Sequence, residues 1–511
     1  MRLPSPSVVS AFTTFFACAT ATVQGSNSGH SFYTTSGGVP VNDPTAFQRV
    51  GRNGPILLQD THLIEQLAHF ARERIPERVV HAKGAGAYGV FEVTEDITDL
   101  TSAAFLDQIG KKSRVLVRFS TVGGESGSAD TARDPRGFAI KIYTEEGNED
   151  WVFNSTPVFF LRDPSKFPLF VHTQKRDPQT HLKNATVFWD YLSTNQESVR
   201  QLMHLFSDRG TPFSYRHMDG FSGHTFKFAK HNGTYNYVKI HLKTDQGVRT
   251  LTNEEAGDLA GKNSDWTTQD LFEAIQRGDN PSWTAYVQVM SPEQAEQFRY
   301  SVFDLTKTWP EDQFPLRKFG KMTLNQNPEN FFAEIEQAAF SPSNIVPGIE
   351  PSADPVLQAR LFSYPDSQRY RLGVNFNQIP VNCPMHVNNP FQRDGHFAIH
   401  NYGAAPNYMS SFHPLVYRSV PTKEHEEWVG KATLFSSVVE DKDFEQATEE
   451  WAYLGTMEGQ QRNFVHNIAV HLCNAHPEVR KRTYGMFDRV DAQLGQWLRE
   501  ETEKEVVALS V

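Results

Sequence analysis

Apolar and polar positions alternate with a period of two in several short runs of this chain. VFEVT (90–94), VLVRFST (115–121) and FAIKIYT (138–144) are each bounded by turns rich in Gly and Asp, which predicts β-strands. Similar runs recur at 235–243 (YNYVKIHLK) and 283–290 (WTAYVQVM). Between them, 185–206 (ATVFWDYLSTNQESVRQLMHLF) changes to helical spacing. The strands do not interleave regularly with helices, so an antiparallel sheet is expected rather than a βαβ series.

The flanks read differently. Asp60 stands as an N-cap before Leu63, Ile64, Leu67 and Phe70 at helical spacing. Near the C-terminus, Asp443 with Gln446 suggests a capping box, and Phe444, Ala447, Trp451 and Leu454 share one helix face. A second helix carries Phe464, Ile468 and Leu472, and a third Val479, Met486, Val490, Leu494 and Trp497. The stretch 305–435 is rich in Pro, Asn and Phe with little periodicity, a length that is normally functional when ordered. Arg2 and the apolar run 8–21, ending in Ala17, Ala19 and Ala21, resemble a signal peptide, with a disordered arm as the other reading. The expected division is an N-terminal extension or signal peptide (1–29), an arm and helix (30–87), a β domain with a helical insertion (88–304), a wrapping segment (305–435) and a helical C-terminal domain (436–511). The class is α+β.

Composition narrows the function. The chain has 511 residues, ample for a large core, with 21% charged and 39% hydrophobic residues. Its 49 Lys+Arg against 60 Asp+Glu give a net charge of −11, and no basic run is interleaved with aromatics, which argues against nucleic acid. Beyond the N-terminus no run is apolar for the roughly 18–20 residues that a membrane helix needs. Cys18, Cys383 and Cys473 are too few for a disulfide framework and lack zinc spacing.

Three segments carry candidate chemistry. In FARERIPERVVHAKGAGAYG (70–89), His81 stands beside Arg74 and Arg78, and the glycine-rich turn lets backbone approach a flat ligand. In RLFSYPDSQRYRLG (360–373), Arg360 and Tyr364 are four apart and share one helix face, with Pro365 expected to stop the helix. A guanidinium beside a phenol favours phenolate, a hard anionic ligand suited to ferric haem, although the same spacing also describes an ordinary helix end. In WVFNSTPVFF (151–160), Asn154-Ser155-Thr156 is a formal glycosylation acceptor set among apolar residues. Gly123–Gly127 lacks a phosphate-loop pattern, and His425-Glu426 has no second histidine at zinc-protease spacing.

The first two segments resemble the signature regions of the monofunctional haem catalases, most closely fungal small-subunit members. RFSTVGGESGSADTARDPRGFAIKIYTEEGN, LFSDRG, SWTAYVQV, FDLTKTWP, PGIEPS and IPVNCP are similar too, in the family's order, from about Tyr33 to the C-terminus. The resemblance implies an antiparallel β-barrel holding haem, an N-terminal arm, a wrapping segment bearing Tyr364, a C-terminal helical domain and a homotetramer with interlocked arms. It implies dismutation of hydrogen peroxide to water and dioxygen, with the iron porphyrin performing the redox step. By the same resemblance His81 is the distal histidine, Ser120 orients it, Tyr364 is the iron ligand and Arg360 keeps it ionised. Arg78, Arg118 and Arg371 fall at propionate-pairing positions, and Val80 and Phe167 at the distal face or its channel.

One departure stands out within the resemblance. The family has Asn-Asn where this chain has Asn154-Ser155, and the second asparagine is taken as the distal hydrogen-bond donor, which puts Ser155 in its place. A weaker donor there admits altered peroxide handling, oxidation of an organic substrate in a biosynthetic pathway, or a haem-binding pseudoenzyme. With the segment in the pocket, the glycan falls away and Phe159 and Phe160 become pocket wall. Ser207, Arg209, His241, Lys243 and Trp309 match NADPH contacts of the family, while Arg200, His204 and Glu311 depart from it, so solvated surface charge is an equal reading. The N-terminal run and the C-terminal ALSV favour secretion over a cytoplasmic or peroxisomal location.

Overall fold

The structure, a computed structural model, describes residues 32–418 and 426–508, so the expected signal peptide and Cys18 lie outside the described residues. Chain contacts divide it into two units, one ending at Pro76 and one starting at Glu77. The first unit holds α1 (Thr61–Phe70), whose N-cap Asp60 accepts the backbone N–H of Leu63 at 3.1 Å and of Gln48 at 2.5 Å. Ile64, Leu67 and Phe70 on its apolar face are exposed in the single chain.

The second unit is built on strands β1 (Gly84–Val93), β2 (Lys112–Ser120), β3 (Gly137–Thr144), β4 (Gly147–Asn154), β5 (Gly220–Phe221), β6 (Phe226–Ala229), β7 (Tyr235–Thr244), β8 (Ser282–Met290), β9 (Arg317–Gln326) and β10 (Ile349–Pro351). All pair antiparallel in the order β10-β6-β7-β5-β4-β3-β2-β1-β9-β8, and a further β7–β8 pairing closes eight of them into a barrel. Strand β9 therefore belongs to the barrel, although it lies in the segment expected to wrap it. Its alternation is interrupted by Gly320 and by bulges in its pairing with both neighbours, which hides it from a period-two search.

The barrel interior is solid. Val115, Val117 and Phe119 of β2 point inward with Phe138, Ile140 and Ile142 of β3, Trp151 and Phe153 of β4, and Val238, Ile240 and Leu242 of β7. Since side chains alternate, the neighbouring positions 118 and 120 on β2, 152 and 154 on β4, and 239, 241 and 243 on β7 face outward. A haem cannot enter the filled barrel, so its site has to lie on the outer wall.

Helices α2 (Phe167–Gln174), α3 (Ala185–Thr194) and α4 (Val199–Phe206) form the insertion after β4, followed by α5 (Asn253–Lys262), α6 (Trp266–Gln276) and α7 (Pro292–Gln297). Helix α8 (Pro355–Leu372) runs through Pro365 instead of ending there. Its N-cap Asp354 accepts from Val356 and Leu357, and tertiary packing outweighs the hydrogen bond that Pro365 cannot donate. Among the described residues the C-terminal end has four helices, α9 (Lys442–Gly455), α10 (Gln460–Leu472), α11 (Pro477–Asp488) and α12 (Ala492–Ala508), where the sequence suggested three. Asp443 is not a capping-box residue: it is buried and accepts from Arg162 and Lys307, while Gln446 bonds the backbone of Thr308. These helices and the insertion share a second core around Trp189, Leu202, Trp451, Phe464 and Phe487. No helix among the described residues is long and apolar enough to cross a membrane.

Candidate active site

A cavity of about 240 Å³ lies against the outer wall of the barrel, lined by Val80, His81, Val152, Asn154, Phe159, Phe167, Arg360 and Tyr364 among others. His81 comes from the segment before β1 and adopts φ +65°, an uncommon conformation for a residue with a side chain. Two bonds to its main chain hold it there: its N–H donates to the Val122 carbonyl at 3.0 Å, and the Arg118 side chain donates through Nη1 to its carbonyl at 2.8 Å. Its Nδ1 lies 2.9 Å from Ser120 Oγ, the outward-facing end of β2. Gly137 is required beside this pair, because a Cβ there would overlap both Ser120 Oγ and His81 Nδ1. Burial, then the charges of Arg118, Arg360 and Arg78, push the His81 pKa down to about 3, so the imidazole is neutral and able to accept a proton.

Asn154 shares the cavity lining with His81 and Ser155 does not, which departs from the expectation that placed Ser155 there. One step along the strand turns Ser155 away. Its Oγ accepts the Arg136 N–H at 2.9 Å and its own N–H donates to the Arg136 carbonyl at 2.7 Å. Of the aromatics in WVFNSTPVFF, Phe159 lines the cavity, whereas Phe153 fills the barrel and Phe160 packs into the helical core.

On α8, Arg360 Nη2 donates to Tyr364 Oη at 2.8 Å and to the Val152 carbonyl at 3.0 Å, placing a fixed positive charge beside the phenol oxygen. Sequence reading missed another cavity residue: His224 bonds Asp354, the N-cap of α8, through Nδ1 at 2.6 Å. A lone buried histidine 130 positions from its partner gives no sequence signal.

Arg78, Arg118 and Arg371 meet around Glu336. Arg78 bonds the carbonyls of Ile335, Glu336 and Ala338, and Arg371 donates to the Glu336 carboxylate at 3.0 Å. Arg118 leaves its Nε buried without a partner. Burial and mutual repulsion hold the guanidinium of Arg78 well below its ordinary range and bring Arg118 down to about 10. Such a surplus of buried positive charge fits a ligand carrying carboxylates. A largely apolar cavity, an arginine-backed phenol, a neutral histidine and this cationic cluster together suit haem.

A second cavity, about 300 Å³, is lined by Arg209, His241, Lys243 and Trp309, with Arg200, His204 and Glu311 also in its wall. Ser207 is not in that lining; its hydroxyl donates to the His204 carbonyl and accepts from the Arg209 N–H. Arg200 is paired with Glu450 of α9 at 2.7 Å. The Phe221–Gly223 segment lines both cavities and so forms a shared wall.

The fold and site define a haem protein of the catalase type, and comparison with known proteins agrees. The catalase family model matches residues 34–414, and a catalase-related immune-responsive model matches 439–502. The chain is 58% identical over 482 residues to the peroxisomal catalase of Candida tropicalis, covering 94% of this chain and 99% of that one. It is 59% identical over 478 residues to the catalase of Schizosaccharomyces pombe, covering 93% of each. Catalase A from Saccharomyces cerevisiae superimposes with a TM-score of 0.91 at 54% identity, over 92% of this chain and 99% of that structure. The chain belongs to the monofunctional haem catalase family.

Proposed function

We infer that this chain dismutates hydrogen peroxide to water and dioxygen at the cavity between the barrel wall and α8. The observation that carries this reading is one cavity lined by both a neutral His81 and the Arg360–Tyr364 pair. Tyr364 would hold the haem iron, with Arg360 stabilising the phenolate. Arg78, Arg118 and Arg371 would pair with the propionates, and Val80 and Phe167 would pack against the porphyrin and its approach. The haem supplies the redox chemistry when bound. His81, oriented by Ser120 at Nδ1, uses its other ring nitrogen to take a proton from one peroxide oxygen and return it to the other as the O–O bond breaks. The Asn154 amide donates to peroxide beside it, a role a carboxamide fills at full reach. The organic-substrate and pseudoenzyme readings rested on Ser155 in that role and lose their support. Oxygen evolution from peroxide by the purified, haem-loaded ferric protein tests the assignment; background activity at full haem occupancy would overturn it.

The second cavity supports a nucleotide reading. Arg209 and Lys243 would face the phosphates of NADPH and Trp309 its rings, while Glu311 in the same wall opposes phosphate. Nucleotide fluorescence titrated with the protein decides between this and solvated charge. A homotetramer is supported by the apolar side chains that the single chain leaves exposed between 397 and 438, including Phe397, Phe412 and Phe435; light scattering measures it. The peroxisome is the favoured compartment, since relatives from Candida tropicalis, Candida albicans and Saccharomyces cerevisiae are named peroxisomal catalases. Secretion has no such support, and microscopy of the full chain tests the location.

A further inference from the structure

Lys239 lies on the outward face of β7 in the second cavity, yet it is only 4% exposed. Its ammonium donates to the Gly223 carbonyl at 2.7 Å and the Lys307 carbonyl at 3.2 Å, and sits 5.6 Å over the Trp309 ring. Gly223, at φ +62°, belongs to the wall shared by the two cavities. The wall is tied to β7 by Ser222, whose N–H donates to Ile240 and whose Oγ accepts from it. Ser222 Oγ in turn donates to the His224 carbonyl at 2.9 Å. His224 then bonds Asp354, whose other oxygen caps the first turn of α8, the helix bearing Arg360 and Tyr364.

Groups along this route also influence one another electrostatically. Burial holds the Lys239 pKa down to about 8 against the pull of Asp354 and Asp304. Burial depresses His224 as well, with Asp354 opposing and Arg360 and Lys239 adding to the depression. The titratable groups facing Lys239 are thus Asp354, Asp304, His224 and His241, with Arg200, Arg209, Lys243 and Glu311 in the same cavity wall.

We propose that Lys239 is a positioning residue linking the two cavities: the ligand in the cationic cavity sets its charge, and the His224–Asp354 pair passes that charge state to Arg360 and Tyr364. The proposal rests on the haem and nucleotide readings above and adds a regulatory connection between them. An anion in the cavity favours protonated Lys239, which keeps a positive charge near Asp354 at pH values where the empty protein loses it.

The ferric haem absorption spectrum of the holoenzyme, followed from pH 6.5 to 9.5 with and without saturating NADPH, is the test. Expected is a spectral transition near pH 8 in the nucleotide-free protein, moved upward by about one unit with NADPH. Lys239→Met, at full haem occupancy, abolishes the transition; Lys239→Arg keeps the low-pH spectrum throughout. The proposal is overturned if NADPH binds by fluorescence yet leaves the transition in place, or if Lys239→Met retains it. Absence of NADPH binding overturns the nucleotide reading and the ligand control. In that case the Lys239→Met titration still decides whether Lys239 is connected to the haem.

Discussion

At the scale of single residues, the register of β4 decides which polar side chain enters the cavity. Val152 and Asn154 face the cavity, Trp151 and Phe153 fill the barrel, and Ser155 is held by the Arg136 backbone. Asn154→Ala is therefore expected to lower kcat/KM for peroxide by roughly 10²–10³ with haem content unchanged, the size typical of losing one preorganised donor. Ser155→Ala should change the rate several-fold at most, and Ser155→Asn should not raise it, because its larger side chain has to displace the bond to Arg136. Steady-state oxygen evolution on the three variants checks both statements. Gly137→Ala gives a complementary outcome: the added Cβ pushes His81 and Ser120 apart, so activity falls while haem binding through Tyr364 persists. The sequence made His81, Arg360 and Tyr364 legible because a histidine beside a glycine-rich turn and an i, i+4 pair are local patterns. It put Ser155 rather than Asn154 in the cavity because two adjacent polar residues look alike until the strand phase is known, and that phase is set by pairing with β3 and β5.

At the scale of elements, what was legible depended on whether an element carries its own signal. The regular strands β2, β3, β7 and β8 alternate cleanly and were readable; β9 closes the barrel but is broken by Gly320 and bulges. Helix α8 was readable up to Pro365, and its continuation depends on packing that no local rule records. Asp443 at the start of α9 shows the same limit, since its partners Arg162 and Lys307 are 281 and 136 positions away. Those two cations, despite burial, hold its carboxyl well below the usual carboxylate range. A depressed carboxyl contributes stability that is present above its unfolded pKa and is lost as pH falls below it. Acid is thus expected to release α9 first, below about pH 4. Asp443→Asn leaves two buried cations under-compensated and should cost about 3–5 kcal/mol, read as a lower urea midpoint at neutral pH and a weaker loss of stability in acid.

For the molecule as a whole, the opposite edge of the pH range is expected to depend on Glu149, buried where the β3–β4 hairpin meets the segment after β9. Its oxygens accept from Trp151 Nε1 at 3.0 Å and from the Val346 N–H at 2.8 Å, while among the described residues no cation pairs with it; Lys141 is bonded to neighbouring Asp150. Burial, with Asp150 adding repulsion, raises its pKa to about 8. A carboxyl with a folded pKa above its unfolded one binds more protons when folded, so its contribution is full below about pH 4.5 and drains away as pH climbs through 8. The slope is at most about 1.4 kcal/mol per pH unit for one group. Thermal unfolding measured from pH 5 to 9 should therefore show a midpoint that declines with pH in the wild type. Glu149→Gln has no proton to lose and replaces one acceptor with an amide donor, so it should start lower at pH 5 and decline less steeply. The difference between the two slopes isolates this carboxyl from every other group in the chain, and equal slopes would remove Glu149 as the source of alkaline instability.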